Sequence, residues 1–418
     1  MREAPVIRSL LEVDWYKFMM GNFAFLFHRG VRVRYAFKNR HAARVHLPDF
    51  IRKEELRGQI AHARSLAFTA DEIAFLRESP HIPKGLLSEG YLAALRKLRL
   101  PPVRLAWSKG ACVIETEGAW HAAMLWETLL MNIVNQLYFR ELARKSGRPM
   151  ENIWDEGARR LMRKVQALKK RPHVRIVDFG LRRSFDLDWC DWLDGVLRDE
   201  LGDQLAGISN VRLAMKHGKP PSGTCAHEMF MVRAGLDGAT DEGLRASPTR
   251  FLREWYGMYG AERTVAIPDT FGTESFIEDL PRDLAERIHL YKIDSGDPKE
   301  RGMLWARTFP EKWGIDPRSK RLIFCDGLDV PLIEELDDAF AGKIGVAPYG
   351  PGTHLTNDVG FDPISIVVKA SAVERGGAWV PLVKLSDNLD KASGPPEEIE
   401  RYVRVFRYGN AFRSECRV

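Results

Sequence analysis

The segment DFGLRR (178–183) closes an apolar run with an aspartate, an aromatic and a glycine, then adds two arginines. An aromatic face beside paired guanidiniums suits a flat ring that bears, or lies beside, anionic groups. A core-packed Phe179 with surface arginines is the plainer alternative. GISN (207–210) and SGTCAHE (222–228) place more polar groups after apolar runs, including Ser209 and His227. His227 has no second histidine at i+4, so zinc-peptidase chemistry is not indicated. Alone it reads as a capping or core residue, but Asp269 in VAIPDT offers a carboxylate to orient its ring. IDSGDP (293–298) and FCDGLD (324–329) contribute Asp294, Asp297, Asp326 and Asp329 beside glycines. Such residues suit ribose hydroxyls or Mg²⁺, and equally ordinary turns. YGPGTHLTND (349–358) is a glycine-rich loop whose amides could cradle a phosphate.

Some chemistries drop out. There is no G-x-x-x-x-G-K-[ST] loop for a nucleotide triphosphate. The Asp-Phe-Gly is not that of a protein kinase, because no H-R-D-L-x-x-x-N loop precedes it. Asp337-Asp338 lies in the helical pattern IEELDDAF without a Thr-rich glycine loop after it, and reads as a solvated helix face.

The elements that must position these residues begin near residue 174. VRIVDFG, QLAGISN, PSGTCAHE, RTVAIPDT, IHLYKIDSGD, RLIFCDGLD and KIGVAPYGPG are short β-rich runs, each ending in polar punctuation and leading into a helical pattern. Most are spaced as one βα unit, which predicts an α/β fold with parallel strands. In a (β/α) barrel the punctuation would line the C-terminal rim, where active sites are built. Seven strands make an incomplete barrel, and a flat doubly wound sheet fits the spacing as well.

Before residue 174, helical patterns mix with extended pieces such as VRVRYAF (31–37). A charged, helix-favouring stretch covers 52–99 and ends before Pro101-Pro102. The apolar run 122–139, broken by Glu127, Asn132, Asn135 and Gln136, predicts a buried helix over 122–143 and not a membrane span. Residues 157–171 form a basic helix whose face could touch RNA or stay solvated. Residues 364–387 look like β-hairpin material returning to the N-terminal region.

With 418 residues, 45% hydrophobic and 29% charged, the composition is that of a globular protein with no long disordered tract. The net charge of +6 suits an anionic substrate or weak nucleic-acid attraction and decides neither. Five cysteines without a C-x-x-C pair argue against a disulfide framework or zinc knuckle and for a reducing compartment. MREAPVIRSLLEVDWYK lacks a signal peptide's apolar region, so a soluble cytoplasmic protein is expected.

LLEVDWYKFMM, DFGLRR, GISN, GTCAHE, DSGDP, FCDGLD and YGPGTHLTND, in this order, closely resemble the nicotinate phosphoribosyltransferase family, from about residue 10 to residue 390. The resemblance implies synthesis of nicotinate mononucleotide and diphosphate from nicotinate and 5-phosphoribosyl 1-diphosphate, in NAD salvage. It further implies coupling to ATP hydrolysis through a phosphohistidine. The implied fold is the irregular α/β barrel of type II phosphoribosyltransferases over 122–361, with an N-terminal α/β domain over 1–121. A C-terminal segment, 362–418, would pack back on that domain. A homodimer with shared active sites, ATP as co-substrate and Mg²⁺ accompanying the diphosphate are implied, with no nucleic acid or membrane.

The resemblance also assigns roles. Tyr16 would reach across the dimer to stack on the pyridine ring, with Phe179 on its other face and Arg182 at the base and phosphate end. His227 would be phosphorylated by ATP, beside Asp269 and Asp294. Asp326 would contact ribose, and Gly350 and Gly352 would form the phosphate loop. This chain has Lys292 where many relatives carry Arg, Ile208 where many carry Thr, and His354 where some carry Arg. Lys292 keeps the charge but not a bidentate phosphate contact. Ser209 stands where nicotinamide-using relatives have aspartate, and a serine hydroxyl can donate to a carboxylate. The rivals are a nicotinamide phosphoribosyltransferase and a basic RNA-binding protein, whose binding would fall steeply with salt.

Overall fold

Side chains alternate along RVRYAFKN, and the strand Arg32–Asn39 uses the alternation: Val33 and Tyr35 are fully buried while Arg32 and Lys38 face out. The computed structural model describes residues 4–108, 111–223, 225–325 and 327–409. The chain divides into two units, Met1–Gly223 with Pro351–Lys369, and Thr224–Gly350 with Ala370–Arg417.

In the first unit, Arg32–Asn39 pairs antiparallel with Ala111–Ala119, which pairs with Val103–Ser108. The first residues of Ile366–Arg375 lie on the other side of Arg32–Asn39. The charged stretch becomes three helices, Lys53–Ser65, Ala70–Glu78 and Glu89–Arg96. Thr69 and Glu72 form a reciprocal capping box at the second, and Ser88 caps the third.

The apolar helix spans Trp126–Ser146. Its interrupting amides are buried and partly satisfied: Gln136 Nε2 donates to Asn132 Oδ1, and Asn135 Nδ2 donates to Ser184 O at 2.7 Å, while Asn132 Nδ2, Asn135 Oδ1 and Gln136 Oε1 find no partner among the described residues. Among the described residues, no helix is long and apolar enough to cross a membrane. The basic helix spans Met150–Lys169 and buries Ile153, Gly157, Leu161, Val165 and Leu168, a stripe at helical spacing. Several of its basic side chains are paired: Arg160 with Glu156 and Asp358, Lys164 with Asp358, Lys169 with Glu200.

The unit also holds the parallel pair Ile176–Asp178 and Leu205–Ile208. Among the described residues, the run read as the next strand, PSGTCAHE, makes a single bridge, Ile208 to Pro221. Pro220 and Pro221 lack the N–H groups a ladder needs, which explains the shortfall.

In the second unit, four parallel strands lie in the order Val265–Ala266, Leu290–Ile293, Arg321–Phe324, Gly345–Val346. The first three lead into the helices Thr273–Asp279, Pro298–Thr308 and Val330–Phe340, so the βα alternation read from the sequence is the one found. Tyr291 packs under Trp305 and Phe309 with ring centres 4.5 and 5.0 Å away. Asp338 is exposed on Val330–Phe340, as a solvated face requires. The expected hairpin forms between Ile366–Arg375 and Ala378–Pro381, turning at Gly376-Gly377 with φ of +60° and +80°. Two successive left-handed residues match the twist of the flanking strands. Among the described residues, Cys112, Cys190, Cys225 and Cys325 form no disulfide.

Candidate active site

In the first unit, short backbone bonds fix the end of Ile176–Asp178. Asp178 Oδ1 accepts the Gly180 N–H at 2.7 Å, and Asp178 O accepts the Ser209 N–H at 2.8 Å. Phe179 N–H donates to Pro351 O at 3.0 Å. Gly180 has no room for a side chain, because a Cβ would stand 2.0 Å from Thr356 Oγ1. Tyr16 enters on the helix Trp15–Phe27, whose start is anchored by Trp15 N–H donating to Ser209 O at 2.8 Å. The two rings converge on Gly223: a Cβ there would lie 3.4 Å from Tyr16 and 3.5 Å from Phe179.

Charge surrounds this aromatic corner. Arg182 lies 3.5 Å from Asp14 Oδ2 and 3.4 Å from Glu127 Oε1, with its guanidinium 5.9 Å from the Tyr16 ring centre. Lys17 pairs with the other Glu127 oxygen. Burial pushes the Glu127 carboxyl up, but Lys17 and Arg182 outweigh it and hold the group below the ordinary carboxylate range. Burial raises the Asp14 carboxyl, with Arg182 and the Ser209 hydroxyl opposing. Lys17 is fully buried whereas Arg182 is 37% exposed, so a ligand anion can reach Arg182 and not Lys17.

In the second unit, His227 opens the helix His227–Asp237. Its Nδ1 lies 3.0 Å from Thr270 Oγ1; its Nε2 lies 2.8 Å from Asp294 Oδ2 and 2.9 Å from Lys384 Nζ. Asp269 Oδ1 is 3.7 Å from the same nitrogen. Lys384 is also 3.2 Å from Asp269 Oδ2, and Lys292 is 3.0 Å from Asp294 Oδ1. Asp269 and Thr270 follow the strand Val265–Ala266, and Asp294 follows Leu290–Ile293. Lys384 arrives from the segment after the hairpin, tied down by Leu385 N–H donating to Thr270 O at 2.9 Å. Burial pushes the His227 ring toward its neutral form. Burial opposes ionisation of Asp294, yet Lys292 and His227 hold it well below the usual range. Behind the cluster, Asp387 accepts from the Thr273 N–H and hydroxyl at 2.8 and 2.7 Å, and burial lifts its pKa to about 6. The arrangement can present an uncharged imidazole to an electrophile, between matched acids and ammoniums.

Residues 174–410 match the nicotinate phosphoribosyltransferase (NAPRTase) family, and residues 11–135 match its N-terminal domain. The chain belongs to the nicotinate phosphoribosyltransferase family. Solved nicotinate phosphoribosyltransferases resemble it over nearly their whole length. The Porphyromonas gingivalis structure is 28% identical with a TM-score of 0.85, covering 96% of this chain and 100% of its own. The Vibrio cholerae structure is 29% identical with a TM-score of 0.83, covering 98% and 95%. A putative nicotinate phosphoribosyltransferase of Saccharomyces cerevisiae is 25% identical with a TM-score of 0.83, covering 98% and 100%.

The residues assigned from the family fall into these two groups. Tyr16, Phe179, Arg182 and Ser209 come together in the first unit, and His227, Asp269, Asp294 and Lys292 in the second. Tyr16, expected to serve the neighbouring subunit, lies beside Gly223 of its own chain, as Phe179 does. Gly350 donates its N–H to Phe324 O at 3.0 Å, so that amide is used within the fold. Gly352 lies against the Phe179 carbonyl, where a Cβ would stand 3.4 Å away. Asp326 lies outside the described residues.

Lys384, Thr270, Glu127, Asp14 and Lys17 escaped the sequence reading as site residues. Two of them left a trace in the sequence: Lys384 and Glu127 are charges inside apolar runs, where a cation or acid survives only with a partner. The family implies Mg²⁺. The ligand atoms of His227, Asp269 and Asp294 lie within 4.8 Å of one another, but each carboxylate already faces a lysine. Mg²⁺ prefers oxygen ligands and retains its waters, so this cluster does not fit a resident Mg²⁺.

Lys384 is 9% exposed and Asp269 3%, so breaking their pair leaves a buried charge uncompensated. Lys384→Met is expected to cost about 3 kcal/mol in urea unfolding at pH 7. Asp269 is held below its ordinary pKa in the folded chain, His227 and Lys384 outweighing burial. Its stabilisation is therefore present above about pH 4 and lost as pH falls through the folded pKa. The gap between wild type and variant should close over that acid range. A gap independent of pH would remove Asp269 from the account.

Proposed function

We propose that the chain joins nicotinate to 5-phosphoribosyl 1-diphosphate, releasing diphosphate, and couples this to ATP hydrolysis through phosphorylation of His227. The observation that carries the coupling is the His227 imidazole set among Asp294, Asp269 and Lys384, with Lys292 on Asp294. Bond formation at the ribose carbon breaks its bond to diphosphate as the pyridine nitrogen attacks, and needs no protein nucleophile. His227 therefore acts on the energetics of substrate binding, by taking the γ-phosphoryl group. Phe179 and Tyr16 hold the ring, Arg182 attracts its anion, and Asp326 reaches the ribose. Mg²⁺ arrives with the substrate phosphates, and the active assembly is a homodimer. Incubation with nicotinate, 5-phosphoribosyl 1-diphosphate, Mg²⁺ and ATP should yield nicotinate mononucleotide. Its absence, with the same result when nicotinamide replaces nicotinate, would defeat the proposal.

Several cations of the basic helix face Glu156, Asp358 and Glu200, which supports the enzyme reading over the RNA-binding one. Loss of one stacked face is worth about 1–3 kcal/mol. Phe179→Ala should thus raise the KM for nicotinate roughly ten- to hundredfold. The KM for 5-phosphoribosyl 1-diphosphate should hold, and an equal rise in both would mean that Phe179 shapes the fold and not the ring site.

A further inference from the structure

Among the described residues, Ser386 is one of two non-glycine residues with positive φ, at +66°, in the left-handed region that a side chain disfavours. Such strain persists only where neighbouring contacts over-determine it. Here they lie on both sides. Before it, Lys384 exchanges backbone hydrogen bonds with Ser393 at 3.0 and 2.9 Å, and Leu385 N–H donates to Thr270 O at 2.9 Å. After it, Asp387 N–H donates to Ser295 Oγ at 3.2 Å, and the Ser295 hydroxyl donates to Asp269 Oδ2 at 2.8 Å. The same Asp269 oxygen lies 3.2 Å from Lys384 Nζ. The turn at Ser386 thus ties both ends of the segment 384–387 to Asp269.

The carbonyl of that turn is held by a residue from beyond the helix Pro396–Val405. Tyr408 donates its hydroxyl to Ser386 O at 2.5 Å. Burial, with Asp387 and Glu274 nearby, pushes the Tyr408 phenol up, so it keeps the hydrogen it donates. Its ring lies on Gly272, where a Cβ would stand 2.8 Å from it. Two residues earlier, Phe406 stacks on Phe271 with ring centres 4.5 Å apart. Phe271 and Gly272 directly follow Asp269 and Thr270 in the chain. Tyr408 therefore touches the segment bearing Lys384 and the loop bearing Asp269 at once.

We infer that Tyr408 is a positioning residue: through the Ser386 carbonyl it fixes the turn that sets the Lys384 ammonium 2.9 Å from the His227 ring. The positioning rests on this geometry, and its effect on turnover rests on the ATP-coupled reading above. Without the Tyr408 hydroxyl, Ser386 relaxes out of the left-handed region and carries Lys384 away from the ring. An ammonium beside an imidazole opposes its protonation, so a displaced Lys384 lets His227 take up a proton more readily.

The test is a histidine NMR titration of the full-length chain, with His227 assigned among the eleven histidines by difference against His227→Ala. Tyr408→Phe removes the hydroxyl and keeps the ring on Gly272. It should raise the His227 pKa, as Lys384→Met does. The double variant should match Lys384→Met alone, because the tyrosine then has no lysine to position. ATP-dependent synthesis of nicotinate mononucleotide should fall roughly three- to tenfold in Tyr408→Phe, the effect of one lost hydrogen bond, with the KM for nicotinate unchanged. Glycine adopts positive φ without strain, so adding Ser386→Gly to Tyr408→Phe should recover part of the loss. The same double variant carries the titration where Tyr408→Phe alone folds poorly. An unchanged His227 titration in Tyr408→Phe, shifts from Tyr408→Phe and Lys384→Met that add, or an equal rise in the KM for nicotinate overturns the inference. Shifted, non-additive titrations in a chain whose synthesis ignores ATP overturn the ATP-coupled reading and leave the positioning role standing.

Discussion

His227→Ala is expected to abolish ATP hydrolysis and the acid-labile phosphoenzyme while leaving slow, ATP-independent synthesis of nicotinate mononucleotide. Removing a residue that forms a covalent intermediate takes that step to background, a loss on the order of 10³-fold or more. Synthesis itself needs only a bound ring and a departing diphosphate, so it should persist at a lower rate. The measurements are radiolabel transfer from [γ-³²P]ATP and product formation with and without ATP. The imidazole sits against Asp294, Asp269 and Lys384, so its loss also disturbs those charges. His227→Gln, which keeps hydrogen-bonding capacity but no phosphorylatable ring nitrogen, separates the two effects and should show the same loss of labelling. Labelling that survives in either variant assigns the phosphoryl group elsewhere.

Ser209→Asp should redirect base choice. Ser209 is fully buried at the aromatic corner, next to the buried carboxyl of Asp14. Nicotinate and nicotinamide differ only in carrying a carboxylate or an amide. Like charges about 4 Å apart cost on the order of 4 kcal/mol at an effective dielectric near 20. Solvent and Arg182 will reduce this to about 2–3 kcal/mol, a loss in kcat/KM for nicotinate of roughly 30- to 150-fold. Nicotinamide use should stay level or rise, because the new carboxylate can accept from its amide. Ser209→Asn adds the same bulk without charge and should spare nicotinate more than Ser209→Asp does. Equal losses for both bases would show that Ser209 does not read the substituent, leaving the choice to Arg182.

Much of the second unit is legible because its strands obey one rule, an apolar run followed by polar punctuation. That rule places Asp269 and Asp294 after their strands and His227 at the head of its helix. It fails at PSGTCAHE, where two prolines remove the ladder donors, although the polar residues remain useful. Lys384 was hidden for a different reason. It follows His227 by 157 positions and lies in VPLVKLSD, whose apolar texture reads only as a strand. Only the fold makes it a neighbour of His227. Glu127 was readable as an anomaly in an apolar helix, but its partners Lys17 and Arg182 lie far away in sequence. Thr270 carried no signal, since a hydroxyl after Pro268-Asp269 suits any turn.

The interval of 157 residues between His227 and Lys384 acquires a meaning on the ribosome. At about 5–20 residues per second, roughly 8–30 seconds pass between the synthesis of the histidine and that of its lysine. During that time Asp269 lacks its lysine partner, and the segment that seats Thr270 does not yet exist. A nascent chain, or one stopped by premature termination before residue 384, thus carries His227 without the ammonium that stands 2.9 Å from its ring.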